Sequence, residues 1–246
     1  MDKTLLKGLR ALEVIVTSGE DSGVTALAHE LSLPKSNVHR ILKTLEAAGY
    51  LRRDPAFGRY APSLKLWELG RRVMDKFDIK AGAEAILGEL AAKTRETVHL
   101  SVLQGREVLY IDKIDSPEPV RAYTTVGGRA PCYAVATGKA LIAYLPAAEI
   151  EAICDDLKAF TPNTHASRTS LLAELEKVRA QGYAINQGEW RESVCGVAAP
   201  IRILGKVEAA IGVSGPASRM KSRTMKAYAQ EVMGAARRIS ERLDGL

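Results

Sequence analysis

Cysteine is scarce in this chain. Only Cys132, Cys154 and Cys195 occur, far apart. That excludes a disulfide-stapled scaffold and fits a reducing compartment. Histidine is nearly as sparse, and His29, His39, His99 and His165 share no metal-ligand spacing with the cysteines. No metal or other cofactor is therefore expected. No apolar run approaches the roughly 18 residues of a membrane-spanning helix. The opening MDKTLLKGLRALEVIV lacks the long apolar core and small-residue cleavage site of a secretory signal. The expectation is a cytoplasmic protein with no membrane partner.

Catalytic signatures are also missing. YAVATGKAL contains Gly138 and Lys139, but a phosphate-binding loop needs an earlier glycine where Tyr133 stands and Ser or Thr where Ala140 stands. GVSGP fails as a nucleophile elbow because Pro216 takes the place of the last glycine. Cys195 with His99 or His165 leaves a thiol dyad open on paper. In SVCGVAAP, however, a lone cysteine reads as a small buried residue or pocket lining. The alternative of a cysteine- or histidine-dependent enzyme with an N-terminal interaction module thus lacks a constellation to support it. A non-enzymatic protein is expected.

What is present is an ordinary globular composition, 46% hydrophobic and 26% charged over 246 residues. This length suits one large domain or two smaller ones. The net charge is +6, and a basic balance favours an acidic partner such as nucleic acid. The excess is local. In residues 32–59, Lys35, Arg40, Lys43, Arg52, Arg53 and Arg59 oppose only Glu46 and Asp54.

Periodicity places helices at about Thr4–Ser18 and Val24–Leu31, the second with Thr25 near its start. After the SLP turn, a helix runs from Pro34 to about Ala48, with Gly49 as its C′ residue. YLRRD, PAFG and RYAPS read as strand, turn and strand. Three helices and a small hairpin form a winged helix-turn-helix. Ser63 to about Lys80 is a linker helix striped by Leu66, Leu69, Val73 and Phe77, a stripe that needs a covering partner. From Ala81 onward the reading is a helix to Thr94, β-rich runs around Gln104-Gly105, and helices near Gly138–Leu145 and Ser170–Gln181. Two more β-rich runs, GYAINQGE and GKVEAAIGVSGP, and a closing helix at about Lys221–Leu243 complete an α+β domain around an antiparallel sheet.

At about 100° per residue, Val38, Ile41, Leu42 and Leu45 share one face of the third helix. Ser36, Arg40, Lys43 and Ala47 lie opposite, flanked by Asn37, His39 and Thr44. This polar face is either a solvated surface or a groove reader. Asn pairs bidentately with adenine and Arg with guanine. Ser, Thr and Lys suit phosphate oxygens. A recognition helix presents its N-terminal half to base edges, and the arginines of the hairpin are placed as a wing. The joint pattern favours DNA, although Arg40 could instead pair with Glu46. Candidate contacts are Thr25, Lys35, Ser36, Asn37, His39, Arg40, Lys43, Arg52, Arg53 and Arg59.

The ordered blocks LAHELSLPKSNVHRILKTLEAAGYLRRD, RYAPSLKLWELG, GGRAPCYAVATGKALIAYLP, GYAINQGEW, VAAPIR and AAIGVSGPASRM resemble the IclR family of bacterial transcription regulators over nearly the whole chain. The resemblance implies a winged helix-turn-helix domain (1–62), a linker and dimerisation helix (63–80) and a GAF-like effector-binding domain (81–246). It implies dimers or dimers of dimers on palindromic operator DNA, repressing or activating, with RNA polymerase as a further partner. A small organic acid or aromatic effector is expected in the C-terminal domain. Its pocket maps to the backbone of Ala136 and Thr137, and to Asn186, Cys195, Gly196, Gly212 and Ser214. Asn186 stands where the family often has aspartate, Gly196 where it often has cysteine, and Gly212 where it has the first of two serines. Two effector readings follow. The glycines leave room for a larger or less polar carboxylate, or a similar small acid is held by backbone amides and Ser214.

Overall fold

The computed structural model describes residues 2–18, 22–74 and 78–245. The chain divides into two compact units, residues 1–76 and 77–246.

In the first unit, α1 (Lys3–Ser18), α2 (Val24–Glu30) and α3 (Lys35–Ala47) precede a hairpin, β1 (Leu51–Arg53) and β2 (Tyr60–Pro62), and then α4 (Leu64–Met74). Ile15, Leu27, Ala28, Val38, Leu42, Leu51 and Tyr60 form its core. Burial follows the apolar stripe of α3: Val38, Ile41 and Leu42 are buried and Leu45 is half-buried. Pro34 caps α3 rather than occupying its first turn. Gly49 ends it at φ +78, where a side chain would be strained. The Gly49 amide donates to Glu46 O and the Tyr50 amide to Leu45 O. This Schellman pairing satisfies carbonyls the helix leaves open and turns the chain into β1. In the hairpin, Leu51 pairs with Pro62 and Arg53 with Tyr60. The Asp54 carboxylate accepts from the Ala56 and Phe57 amides, which rounds the tip.

The expected linker helix is seen as α4, ending at Met74. Residues 75–77, Phe77 included, lie outside the described residues, and the Val73 side chain is not described. Leu66 is half-buried and Leu69 is exposed, and so are Leu64 and Trp67.

The second unit begins with α5 (Asp78–Thr94), a turn earlier than its periodicity suggested. Its strands are β3 (Thr97–Gln104), β4 (Glu107–Ile114), β5 (Arg129–Pro131), β6 (Ala184–Gln187), β7 (Val194–Ile203) and β8 (Lys206–Pro216). They form one antiparallel sheet in the order β5-β4-β3-β8-β7-β6. The helices α6 (Ala136–Ile142), α7 (Ala147–Cys154), α8 (Arg168–Gln181) and α9 (Ser222–Asp244) complete it.

Directly paired residues of adjacent strands share a face. Asn186, Gly196, Ser214, Ala198, Gly212 and His99 therefore line one side of the sheet. Ala198 and Ala210 join the α6, α7 and α8 core there. Ala199 points to the other side, beside Met233, Ala236 and Ser240 of α9. α5 packs against α9.

Periodicity passed over β7, β5 and α7. β7 carries Gly196, Ala198, Ala199 and Pro200, which interrupt its valines and isoleucines and break the strand pattern. Pro200 is tolerated because β6 begins only at Ala184, opposite Ala198, so among the described residues no strand lies beside Pro200 on that edge.

Leu42 is fully buried at the centre of the first unit. Leu42→Ala should destabilise that unit by about 2–5 kcal/mol, measured by denaturant titration followed at the helical circular dichroism band. A loss well under 1 kcal/mol would contradict this packing.

Candidate nucleic-acid interface and effector cavity

On α3, Lys35, Ser36, His39, Arg40 and Lys43 are exposed, and Asn37 is half-buried. Arg40 Nη2 donates to Asn37 Oδ1 at 3.4 Å, so the two sit together on the outward face. Glu46, the partner considered for Arg40, is half-buried. Thr25 is exposed on α2, and Arg52, Arg53 and Arg59 are exposed on the hairpin. Arg53 lies 5.9 Å from the Tyr60 ring centroid. With Asp54 turned to the hairpin amides, basic groups dominate this surface.

In the second unit, a cavity opens on the α6 side of the sheet. It encloses about 480 Å³ of non-atom space, open solvent at its mouth included. Ala136, Asn186, Gly196 and Ser214, all expected from the sequence, line it together with His99, Tyr110, Thr124 and Trp190, which were not assigned to it. Exposed Arg191 and Tyr123 stand at its rim. The signal for His99 was its place in the alternating TVHLSV strand. Its partner across the sheet, Gly212, is more than a hundred residues away and is set only by β3–β8 pairing.

The remaining expected positions are close by but differently employed. Thr137 is buried beside Gly212. A Cβ on Gly212 would lie 2.7 Å from Thr137 Cγ2 and 3.2 Å from His99 Nε2. At Gly196 it would meet Val213 O at 2.9 Å. The space these glycines release is thus already taken by protein. Strand alternation turns Cys195 to the face opposite Gly196, and hence opposite His99. That separates Cys195 from His99, and burial pushes the Cys195 thiol above its ordinary pKa. Asn186 Oδ1 accepts from the Glu189 amide at 2.8 Å, and Nδ2 donates to Val194 O at 3.4 Å. It braces the 186–194 loop that carries Trp190 and Arg191.

Gly138 and Lys139 serve the fold. A Cβ on Gly138 would overlap Cys132 O at 2.0 Å, so α6 can seat itself only with glycine there. Lys139 is fully buried. Its Nζ donates to Glu174 Oε1 at 2.9 Å and to Glu189 Oε1 at 2.7 Å, tying α6 to α8 and to the cavity loop. Burial alone would raise the Glu174 pKa, but the ammonium outweighs it and holds it below the usual value. His165 Nδ1 lies 2.7 Å from Ser170 Oγ. Its Nε2 is 3.9 Å from Glu174 and 4.0 Å from Glu189. These three residues bring ligand atoms within 4.8 Å of one another, yet Lys139 already supplies the cation between the carboxylates.

His99 is buried, and burial holds its pKa down at about 4, against an ordinary 6.5. The imidazole is neutral at physiological pH. Among the described residues, Nδ1 of His99 and the hydroxyls of Thr124, Thr137 and Ser214 are buried without a partner. Such orphans are uncommon in folded proteins, and here they gather in and beside one cavity.

A model of the "IclR helix-turn-helix domain" matches residues 4–55, and one of the "Bacterial transcriptional regulator IclR C-terminal" matches residues 71–241. The chain is 35% identical to the HTH-type transcriptional regulator XynR of Escherichia coli, over 96% of this chain and 95% of that one. It is 33% identical to KdgR of the same organism, over 96% and 91%. The crystal structure of Thermotoga maritima IclR superposes with a TM-score of 0.81 at 31% identity, covering 98% of each chain. These relatives are regulators, not enzymes. Together, a DNA-binding helix-turn-helix and an α+β ligand domain define a transcriptional regulator. The chain belongs to the IclR family. Among the described residues, no helix is long and apolar enough to cross a membrane.

The His99 environment predicts an acid sensitivity. Above pH 6.5 the imidazole is neutral in both folded and unfolded chains. As pH falls from there to about 4, the unfolded chain binds the proton that the folded one refuses, so stability drops. The loss at the acid end is on the order of 3 kcal/mol. His99→Gln should flatten this part of the stability–pH curve, followed by denaturant unfolding across that range. An unchanged slope would place His99 in a wetter site.

Proposed function

We propose that this chain is an effector-controlled regulator that binds palindromic operator DNA as a dimer or dimer of dimers. Residues 1–62 form the DNA-binding domain, 63–80 the linker and dimerisation segment, and 81–246 the GAF-like effector domain. In this reading α3 enters the major groove. Asn37, His39 and Arg40 face base edges, with Thr25, Lys35, Ser36 and Lys43 on phosphates. The hairpin arginines Arg52, Arg53 and Arg59 reach a neighbouring backbone. The carrying observation is the outward basic face of α3, in one chain with a cavity whose buried polar groups lack partners.

Exposed apolar surface supports self-association. A groove of about 1160 Å³, open solvent included, runs between α1 and α3, lined by Leu5, Leu9, Leu12, Ile41, Leu45 and Tyr50. Leu64 and Trp67 are exposed on α4. Monomeric proteins rarely leave such patches uncovered.

The effector is a small organic acid rather than a larger one, because His99 and Thr137 fill the space beside Gly212. It acts only through a difference in affinity for the DNA-competent and DNA-incompetent states. A change in operator affinity or in polymerase recruitment is the output.

The test begins by selecting from a genomic fragment library at moderate salt, where one palindrome should be enriched. Arg40→Ala and Lys43→Ala should then weaken binding to it. Each lost phosphate contact should reduce the slope of log affinity against log salt by about 1. Fluorescence anisotropy titrations at several salt concentrations read both quantities. Unchanged affinity and slope in two folded variants, or no enriched palindrome, would refute the groove-facing assignment.

A further inference from the structure

Asn37 and Arg40 stand side by side on the outward face of α3, and only one of them is free to read a base. Both residue types read bases through paired hydrogen bonds. Asparagine donates to adenine N7 and accepts from its N6 amino group, whereas arginine donates to both O6 and N7 of guanine. An asparagine reader therefore needs its side-chain oxygen free, and an arginine reader needs only donors. In α3 the Asn37 oxygen is already engaged, because Oδ1 accepts from Arg40 Nη2 at 3.4 Å. The contact removes the adenine pattern of Asn37. Arg40 gives up a single N–H, and Nη1 and the second hydrogen of Nη2 remain for a guanine edge.

The helix geometry supports this division of roles. Residues three apart are neighbours on a helix surface, and a helical side chain leans back over the turn that precedes it. The Arg40 guanidinium is thereby carried over the N-terminal half of α3, the half that a recognition helix presents to base edges. Arg40 is exposed and Asn37 half-buried, so Asn37 steers from the side while Arg40 projects. Among the described residues no carboxylate pairs with Arg40, and its charge is not neutralised within the fold. Lys43 lies a turn further from that half and suits a phosphate. At 3.4 Å the Asn37 contact is long, which makes it a guide for the guanidinium rather than a lock.

We propose that Arg40 reads a guanine in each half-site of the operator, and that Asn37 is its positioning residue and reads no base. This rests on the reading of α3 as the helix that enters the major groove. The DNA partner is narrowed accordingly. Each half-site carries a G·C pair whose O6 and N7 edge faces Arg40. Adenine at the same place is rejected, because its N6 amino group sets a donor against the donors of the guanidinium.

The experiment starts from the palindrome that the full-length protein enriches from a library. Each guanine is replaced in turn by 7-deazaguanine, which still pairs with cytosine but lacks N7, and each adenine by 7-deazaadenine. Fluorescence anisotropy gives the ratio of affinities for the unmodified and modified operators. At one guanine per half-site the wild-type protein should lose about 10-fold on modification, since a donor of the charged guanidinium is left unpaired. Arg40→Ala and Arg40→Gln should bring that ratio close to unity. Asn37→Ala should shrink it several-fold. Asn37→Asp, which keeps the accepting oxygen, should preserve the ratio while its charge weakens binding to both DNAs. The ratio is the deciding readout, because it compares two DNAs on one protein and a folding defect lowers both affinities together. Three outcomes would overturn the proposal: no guanine whose ratio depends on Arg40, an adenine whose ratio vanishes in Asn37→Ala, or a guanine ratio untouched by Asn37→Ala. Failure to enrich any palindrome would instead overturn the DNA-binding reading itself, and this inference with it.

Discussion

The second unit is organised around a buried lysine. Lys139 has no exposed surface and is neutralised by Glu174 and Glu189. An ammonium stripped of water is costly unless paired and hydrogen-bonded, and deleting one partner of such a group typically costs about 3–5 kcal/mol. Three separate pieces of chain must therefore arrive together: α6, α8 and the loop after β6. The arrival is possible because Gly138 lets α6 settle against Cys132. The loop that Glu189 anchors also carries Asn186, Trp190 and Arg191, so the walls of the cavity inherit their position from this ion cluster.

A different constraint governs the first unit. The Gly49 turn ends α3 and sends the chain directly into β1. Val38 and Leu42 of α3 share one core with Leu51 and Tyr60 of the hairpin. The polar face of α3 and the hairpin arginines are therefore carried on one rigid body. DNA recognition needs that rigidity, since phosphate contacts fix the register in which base edges are read. Coupling such a surface to the cavity of the second unit requires states that the effector distinguishes.

The sequence made some elements legible and hid others for physical reasons. α3 was readable to within a residue because its apolar stripe, Pro34 and Gly49 all encode the same segment locally. The β3–β4 hairpin was readable around Gly105, whose φ of +62 is the turn signal in the backbone. β7 was not, because small residues and Pro200 give no β pattern, and its burial between β8 and α9 is what makes it a strand. Gly138 and Lys139 fail as a phosphate loop. Their real partners, Cys132, Glu174 and Glu189, are brought to them only by packing.

The sequence by itself determined the class of protein. Helical periods, an arginine-rich hairpin and ordered sequence blocks are local properties that survive without coordinates. The resemblance pointed to Ala136, Asn186, Gly196 and Ser214, and packing brings these four to one cavity. The tertiary structure alone decided the chemistry of that pocket. Strand pairing set His99 against Gly212, and alternation sent Cys195 to the other face. A glycine in sequence reads as space, but whether the space is empty depends on what the neighbouring strand and helix put into it. Here they put in His99 and Thr137.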